Sequence, residues 1–219
     1  MLLDVRGLAV RFGGVEALDA VDLQLAPGEV LGLAGANGCG KTTLFNAICG
    51  VVPIAAGHVR FSGEDITGAP IWEIARRGIA RTNQTARVFP MMTVANNVSP
   101  ADRAGRKDID AVLACTGLEA RGEALAGELS LAEQRRLEIA RALARAPRLV
   151  LLDEPTSGLG PEDTQAMVAL LAEHVLPGRA VLLIEHKLSV LSELCPRAII
   201  LEQGRVATIG PPADLRVQS

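Results

Sequence analysis

Gly35-Ala36-Asn37-Gly38-Cys39-Gly40-Lys41-Thr42-Thr43 follows the spacing G-x-x-x-x-G-K-[ST] of a phosphate-binding loop. The residue types have physical reasons. Glycines let the backbone curl until successive N–H groups face one concavity, which holds anions. Lys41 brings a compact positive charge to the outer phosphates, and the Thr42 hydroxyl can ligate Mg²⁺. The flanks agree. Val30 to Ala34 reads as a short buried strand, and Lys41 to Cys49 as a helix closed by Gly50. Strand, glycine loop and helix put the phosphate at a helix N-terminus. Cys39, beside Lys41 and that N-terminus, is expected to be an alkylatable thiol that nucleotide protects.

The bulk properties narrow the class. The chain has 219 residues, room for one large domain or two small ones. Apolar residues make up 49%, but no run approaches the ~18 needed to span a bilayer. The first residues, Met1-Leu2-Leu3-Asp4-Val5-Arg6, acquire charge at once, so no signal peptide is expected and a cytoplasmic location is. A net charge of -3 gives no reason to expect a nucleic-acid partner. Cys39, Cys49, Cys115 and Cys195 lack the spacing of a zinc site or a disulfide framework.

Along the chain, Leu2 to Val10 and Ala17 to Ala26 alternate as strands turned at Gly13-Gly14. Gly57 to Ser62 and Gly78 to Thr82 are further strands, with a short helix over Ile71 to Arg77. From about 88 to 146 strand signals vanish, and Ile109 to Thr116 and Leu131 to Ala146 carry helical periodicity. Strands return at Arg148 to Leu152 and Ala180 to Ile184, with a helix over Glu162 to His174 between them. A hairpin over Ala198 to Ile209 turns at Gln203-Gly204. The pattern is an α/β core interrupted by a helical insert.

Leu149-Val150-Leu151-Leu152-Asp153-Glu154 is an apolar run ending in two acids. Such a run suits a parallel strand buried on both faces, and ligands gather beyond the carboxyl ends of such strands. Asp153 there can hold Mg²⁺, and Glu154 can take a proton from an attacking water. A solvated acid pair ending a strand is the plainer alternative, which the phosphate loop disfavours.

Taken together, these motifs make the whole chain resemble the ATP-binding subunit of ABC transporters. The resemblance implies an α/β fold: a P-loop NTPase (RecA-like) core over 1–87 and 147–219, with an antiparallel β subdomain and an α-helical subdomain inserted over about 88–146. Gly35, Ala36, Asn37, Gly38, Cys39, Gly40, Lys41, Thr42 and Thr43 would hold the phosphates of ATP. Phe12 matches the aromatic that stacks on adenine, against a plainer hairpin role. Gln84 matches the glutamine that reaches Mg²⁺ and the attacking water. Leu129-Ser130-Leu131-Ala132-Glu133-Gln134-Arg135 stands in place of the signature, with Ser130 contacting nucleotide. Asp153 and Glu154 match the magnesium aspartate and the catalytic glutamate, Ser157-Gly158-Leu159-Gly160 the dimer-interface loop, and His186 the γ-phosphate sensor. Within the family, the sequences before Gln84 and around His186 look most like the branched-chain amino-acid transport ATPases. Implied partners are transmembrane permeases, a second ATPase subunit and, indirectly, a periplasmic or surface substrate-binding protein. The implied location is the inner face of the cell membrane. A soluble ABC-type ATPase and a weakly hydrolysing regulatory subunit are the alternatives.

Other readings are local. Ser130-Leu131-Ala132-Glu133 is also a capping box. Arg135, Arg136, Arg141 and Arg145 read as a solvated helix face, and Trp72 as a packing residue. The chain departs from the family pattern at Leu131 and Ala132, where the signature has glycines. It departs again at Gly160, where the interface loop ends in Asp, and at Lys187, where close relatives have Asp.

Overall fold

A computed structural model describes residues 1–84, 87–98 and 106–215. Two sheets organise it. The first, in the order β2-β1-β4-β5, is antiparallel: β1 (Leu3–Phe12), β2 (Val15–Leu25), β4 (Ala56–Phe61) and β5 (Glu64–Asp65). The second joins β3 (Val30–Ala34), β6 (Ile79–Arg81), β7 (Leu149–Asp153), β8 (Ala180–Ile184), β9 (Arg197–Glu202) and β10 (Arg205–Gly210) in the order β10-β9-β3-β8-β7-β6. Its strands run parallel except the β10 edge. Every residue of β7 and β8 is buried, as strands covered on both faces require.

The helices are α1 (Lys41–Ile48), α2 (Ile71–Arg76), α3 (Val94–Val98), α4 (Arg106–Cys115), α5 (Leu131–Leu143), α6 (Pro161–Leu170) and α7 (Leu188–Leu194). After α6 one π-turn, Leu171–Val175, completes the helix expected to reach His174. One apolar core joins the antiparallel sheet, α1 and one face of the parallel sheet. A second lies between the other face and α6 and α7. A third, built on Val94, Leu113, Leu118 and Leu137, belongs to the helical region. Helix α5 links the last two, with Leu137 and Ala140 in one and Ile139 and Leu143 in the other.

The β9–β10 turn positions the loop between β3 and α1. Gln203 and Gly204 both have positive φ, at 47° and 77°, as a tight two-residue hairpin requires. The Gly204 N–H donates to the Cys39 carbonyl at 2.9 Å, and the Asp19 N–H donates to the Gly204 carbonyl at 2.8 Å. A Cβ on Gly204 would come within 2.8 Å of the Ala17 carbonyl oxygen. The glycine thus ties both sheets to the loop. Among the described residues, no helix is long and apolar enough to cross a membrane.

Candidate functional site

The loop between β3 and α1 is shaped by backbone that only glycine accepts cheaply. Gly35, Gly38 and Gly40 have φ of 150°, 76° and 111°. A Cβ on Gly35 would meet the Leu201 carbonyl oxygen at 2.2 Å and Cys39 Sγ at 2.6 Å. Helix α1 starts without a side-chain cap and without an acid in its first turn. Its first N–H groups, which helix geometry leaves unpaired, are therefore open to an anion. Lys41 is buried, and its Nζ donates to the carbonyls of Gly35 (2.7 Å) and Ala36 (2.9 Å). Ala36, Asn37, Gly38 and Thr42 are exposed and Thr43 is half-buried.

Cys39 corrects an expectation. It is buried, with Sγ turned inward 3.9 Å from Lys41 Nζ, so alkylation needs the loop to open.

The adjacent strand ends form the second part. Asp153 is 1% exposed, and neither carboxylate oxygen has a hydrogen-bond partner. Burial pushes its carboxyl up to about 6; the Arg81 guanidinium, 3.6 Å away, and Lys41 oppose the rise, while Glu154 and Glu138 add to it. Glu154, also buried, has φ +50°. That left-handed backbone is costly without a glycine and typical of functional sites. The Glu154 carboxylate is held at both oxygens: His186 Nε2 lies 2.6 Å from Oε1, and Gln84 Nε2 donates to Oε2 at 3.1 Å.

Neighbouring bonds lock this geometry. The Asp153 N–H donates to Thr82 Oγ1 at 3.0 Å and the Glu154 N–H to the Ile184 carbonyl at 3.0 Å. Buried Glu185 accepts from the Thr156 N–H (2.9 Å) and hydroxyl (2.8 Å). Burial raises the Glu185 pKa against those same bonds. The structure therefore brings Gln84, Glu154 and His186 into one hydrogen-bonded cluster beside Asp153.

Ser130 caps α5. Its Oγ accepts the Glu133 N–H at 3.2 Å, and Glu133 Oε2 accepts the Ser130 N–H at 2.9 Å, completing the expected capping box. Leu131 is 45% exposed beside this cap, and Ala132 is buried. Phe12 stands 47% exposed at the β1–β2 hairpin tip.

Two sequence readings fail. The expected solvated arginine face holds only for Arg145. Arg135 is buried and donates to the carbonyls of Asn83 and Ser157, each at 3.3 Å. Arg136 is half-buried, and Arg141 donates to the Arg87 carbonyl and stacks over Phe89. Trp72, expected to pack, is 60% exposed under Arg76. Sequence reading also missed Thr82, Asn83, Glu138 and Glu185. The available signal for Glu138 was its place between Leu137 and Ile139 on the apolar side of α5, where a charge must be buried and partnered; Arg135, between Gln134 and Arg136, carried no such signal.

Residues 18–157 match the ABC transporter family. The high-affinity branched-chain amino acid transport ATP-binding protein BraF of Pseudomonas aeruginosa is 34% identical over 98% of this chain and 93% of its own. The lipopolysaccharide export system ATP-binding protein LptB of Acidithiobacillus ferridurans is 38% identical over 89% of this chain and 84% of its own. The ADP conformation of MJ1267, an ATP-binding cassette of an ABC transporter, superposes with a TM-score of 0.86 at 27% identity. It covers 96% of this chain and 91% of the MJ1267 chain.

Proposed function

This chain belongs to the ABC transporter family of ATP-binding proteins, and we propose that it hydrolyses ATP as one of two ATPase subunits driving a pair of membrane permeases. The observation that carries the reading is Glu154: buried, at positive φ, gripped at both oxygens by Gln84 and His186, and one residue from Asp153. Residues 1–219 act as one cassette, with 88–146 as its helical insert.

In this reading the N–H groups of Gly38 to Thr43 bind the phosphates, and Lys41 leaves its loop carbonyls to reach their charge. Phe12, exposed at its hairpin tip, stacks on the adenine. Magnesium fits the donors present: the Asp153 oxygens, which no hydrogen bond occupies, the Thr42 hydroxyl and the Gln84 side-chain carbonyl would hold it. When bound it would offset the negative charge that builds on the phosphates. Glu154 takes a proton from water, with Gln84 and His186 fixing the carboxylate. In a head-to-tail pair, Ser130 at the start of α5 would face the phosphates of the ATP held by the second subunit.

A groove of about 1640 Å³ separates the core from the helical region, lined in part by Val51, Ile71, Val88, Phe89 and Arg141. Exposed Val51, Ile71 and Phe89 support it as the permease seat, which would hold the chain at the inner membrane face. The name borne by BraF supports amino acids or related small polar solutes as the cargo, and import is the direction proposed. The self-capped start of α5 and exposed Leu131 favour a second reading, a subunit that binds ATP and turns it over slowly by itself.

The test is Glu154→Gln. Phosphate release without any acceptor is expected to fall by roughly 10²–10⁴-fold with ATP affinity kept. A wild-type rate from that variant in its complex rejects the assignment.

A further inference from the structure

We propose that Arg135 and Glu138 are positioning residues that fix Gln84 against Glu154 by gripping Asn83 from α5. The inference rests on the reading that Gln84 and Glu154 serve hydrolysis, and adds what holds Gln84.

Asn83 immediately precedes Gln84, and α5 occupies its polar groups. Glu138 Oε1 accepts both the Asn83 N–H (2.9 Å) and its side-chain amide (3.0 Å). Arg135 Nη1 donates to the Asn83 carbonyl at 3.3 Å. With Asn83 held at both its N–H and its carbonyl, Gln84 keeps little beyond its own torsions with which to find Glu154. The other arm of Arg135, Nη2, donates to the Ser157 carbonyl at 3.3 Å, and the Ser157 N–H donates to the Glu154 carbonyl at 3.0 Å. One guanidinium thus spans the two segments whose side chains meet at the Glu154 carboxylate.

The chemistry argues against packing as the purpose. Both charged residues are nearly buried, Arg135 at 8% and Glu138 at 5% exposure. Buried charge is unfavourable unless hydrogen-bonded, and apolar residues such as Ile139 and Leu143 already supply the packing of this helix. The hydrogen bonds are directional where apolar contact is not. Because Ser130 caps the start of α5, any shift of the helix start is transmitted to Asn83, and so to Gln84, through one rigid element.

A double-mutant design tests this on the full chain in its native complex, reading kcat, Mg·ATP affinity and thermal unfolding. Asn83→Asp sets carboxylate against carboxylate. It is expected to lower kcat about tenfold, as adjacent members of one network can, with ATP affinity held within about twofold. Adding Glu138→Gln restores a donor–acceptor pair and is expected to recover most of the loss. In a Gln84→Ala background Asn83→Asp is expected to cost nothing further. Arg135→Lys, which cannot bridge two carbonyls, is expected to behave likewise if Asn83→Asp folds poorly. The same fractional loss with and without Gln84, or no recovery from Glu138→Gln, overturns the proposal. Unchanged kcat in Gln84→Ala alone overturns the reading of the site itself, and this proposal with it.

Discussion

Helices α1 and α5 both begin where the proposed head-to-tail pair would place a phosphate, and they begin differently. Each leaves its first N–H groups without helical partners and carries a partial positive charge there. Helix α1 follows Gly40 at φ 111°, has no side-chain cap and has no acid in its first turn. Helix α5 supplies its own anion: Ser130 caps it, and Glu133 returns its carboxylate to the Ser130 N–H while pairing with Arg121 Nε at 3.1 Å. One helix end is left for a ligand to complete, and the other is complete already. Anion capacity is therefore set by the residues at the cap and three positions on, not by being a helix start.

Breaking the open end is expected to give the largest effect. Lys41→Ala removes the buried ammonium and leaves the Gly35 and Ala36 carbonyls crowded around a vacancy. Charge-assisted contacts to phosphate are the strong ones, so ATP affinity is expected to fall by about 100-fold or more. Equilibrium dialysis with labelled ATP checks it. Retained affinity would mean that the phosphate sits elsewhere.

Opening the closed end comes next. Leu131→Gly with Ala132→Gly removes an exposed side chain beside the cap and lets another backbone approach. The wild-type chain alone is expected to stay monomeric and turn over slowly. The double variant is expected to gain about tenfold in turnover, an effect read as lowered transition-state energy. Light scattering with Mg·ATP on a Glu154→Gln background follows association. A stable ATP-dependent wild-type homodimer with brisk turnover would remove the contrast between the two ends.

The two ends were also unequally legible. The loop at α1 is contiguous in sequence, and its glycines and Lys41 have few other uses, so motif and geometry coincide. The same holds for Asp153 and Glu154, which end a strand whose apolar run announces its burial. The capping box was legible because it spans one turn. Arg135 and Glu138 were not, because their partners Asn83 and Ser157 lie 52, 55 and 22 positions away. The four arginines of the expected Leu131 to Ala146 helix look solvated until tertiary packing buries Arg135 and half-covers Arg136 and Arg141. Trp72 shows the opposite error, an apolar ring that the fold leaves outside. Cys39 was placed in the right loop but on the wrong side, since side-chain direction in a glycine turn depends on φ values that sequence does not print.

A smaller effect separates affinity from stability at the open end. The two oxygens of Asp153 are buried without a hydrogen bond, and the Arg81 guanidinium 3.6 Å away only partly offsets the cost of burying their charge. Asp153→Asn is expected to raise stability by about 1–3 kcal/mol near neutral pH, since each unit of pKa shift is worth about 1.4 kcal/mol. The folded-state pKa, about 6, lies above the unfolded value, so the folded form holds its proton more tightly and stability falls as pH rises through this window. The advantage of the variant is thus expected to grow between about pH 4 and pH 6 and to level off above. Urea unfolding across that range reads it. A gap that is constant with pH would remove burial of the charge as its cause.

The smallest effect concerns Glu133. Glu133→Gln keeps an oxygen able to accept the Ser130 N–H but discards the charge at the α5 start. The cost to folding is expected to be about 0.3–1 kcal/mol from the helix dipole. The ion pair with Arg121 adds little, because both side chains are partly solvated. In a chain of this size that is a fall in Tm of roughly 1–4 °C. Ser130→Ala is expected to cost more, about 1 kcal/mol, because it removes the cap itself. The useful reading is the opposite sign in function. With the charge gone, the α5 start repels phosphate less, so ATP-driven association on the Glu154→Gln background is expected to strengthen while stability drops. If Glu133→Gln weakened both together, Glu133 would be holding the α5 start in shape for its partner rather than closing it.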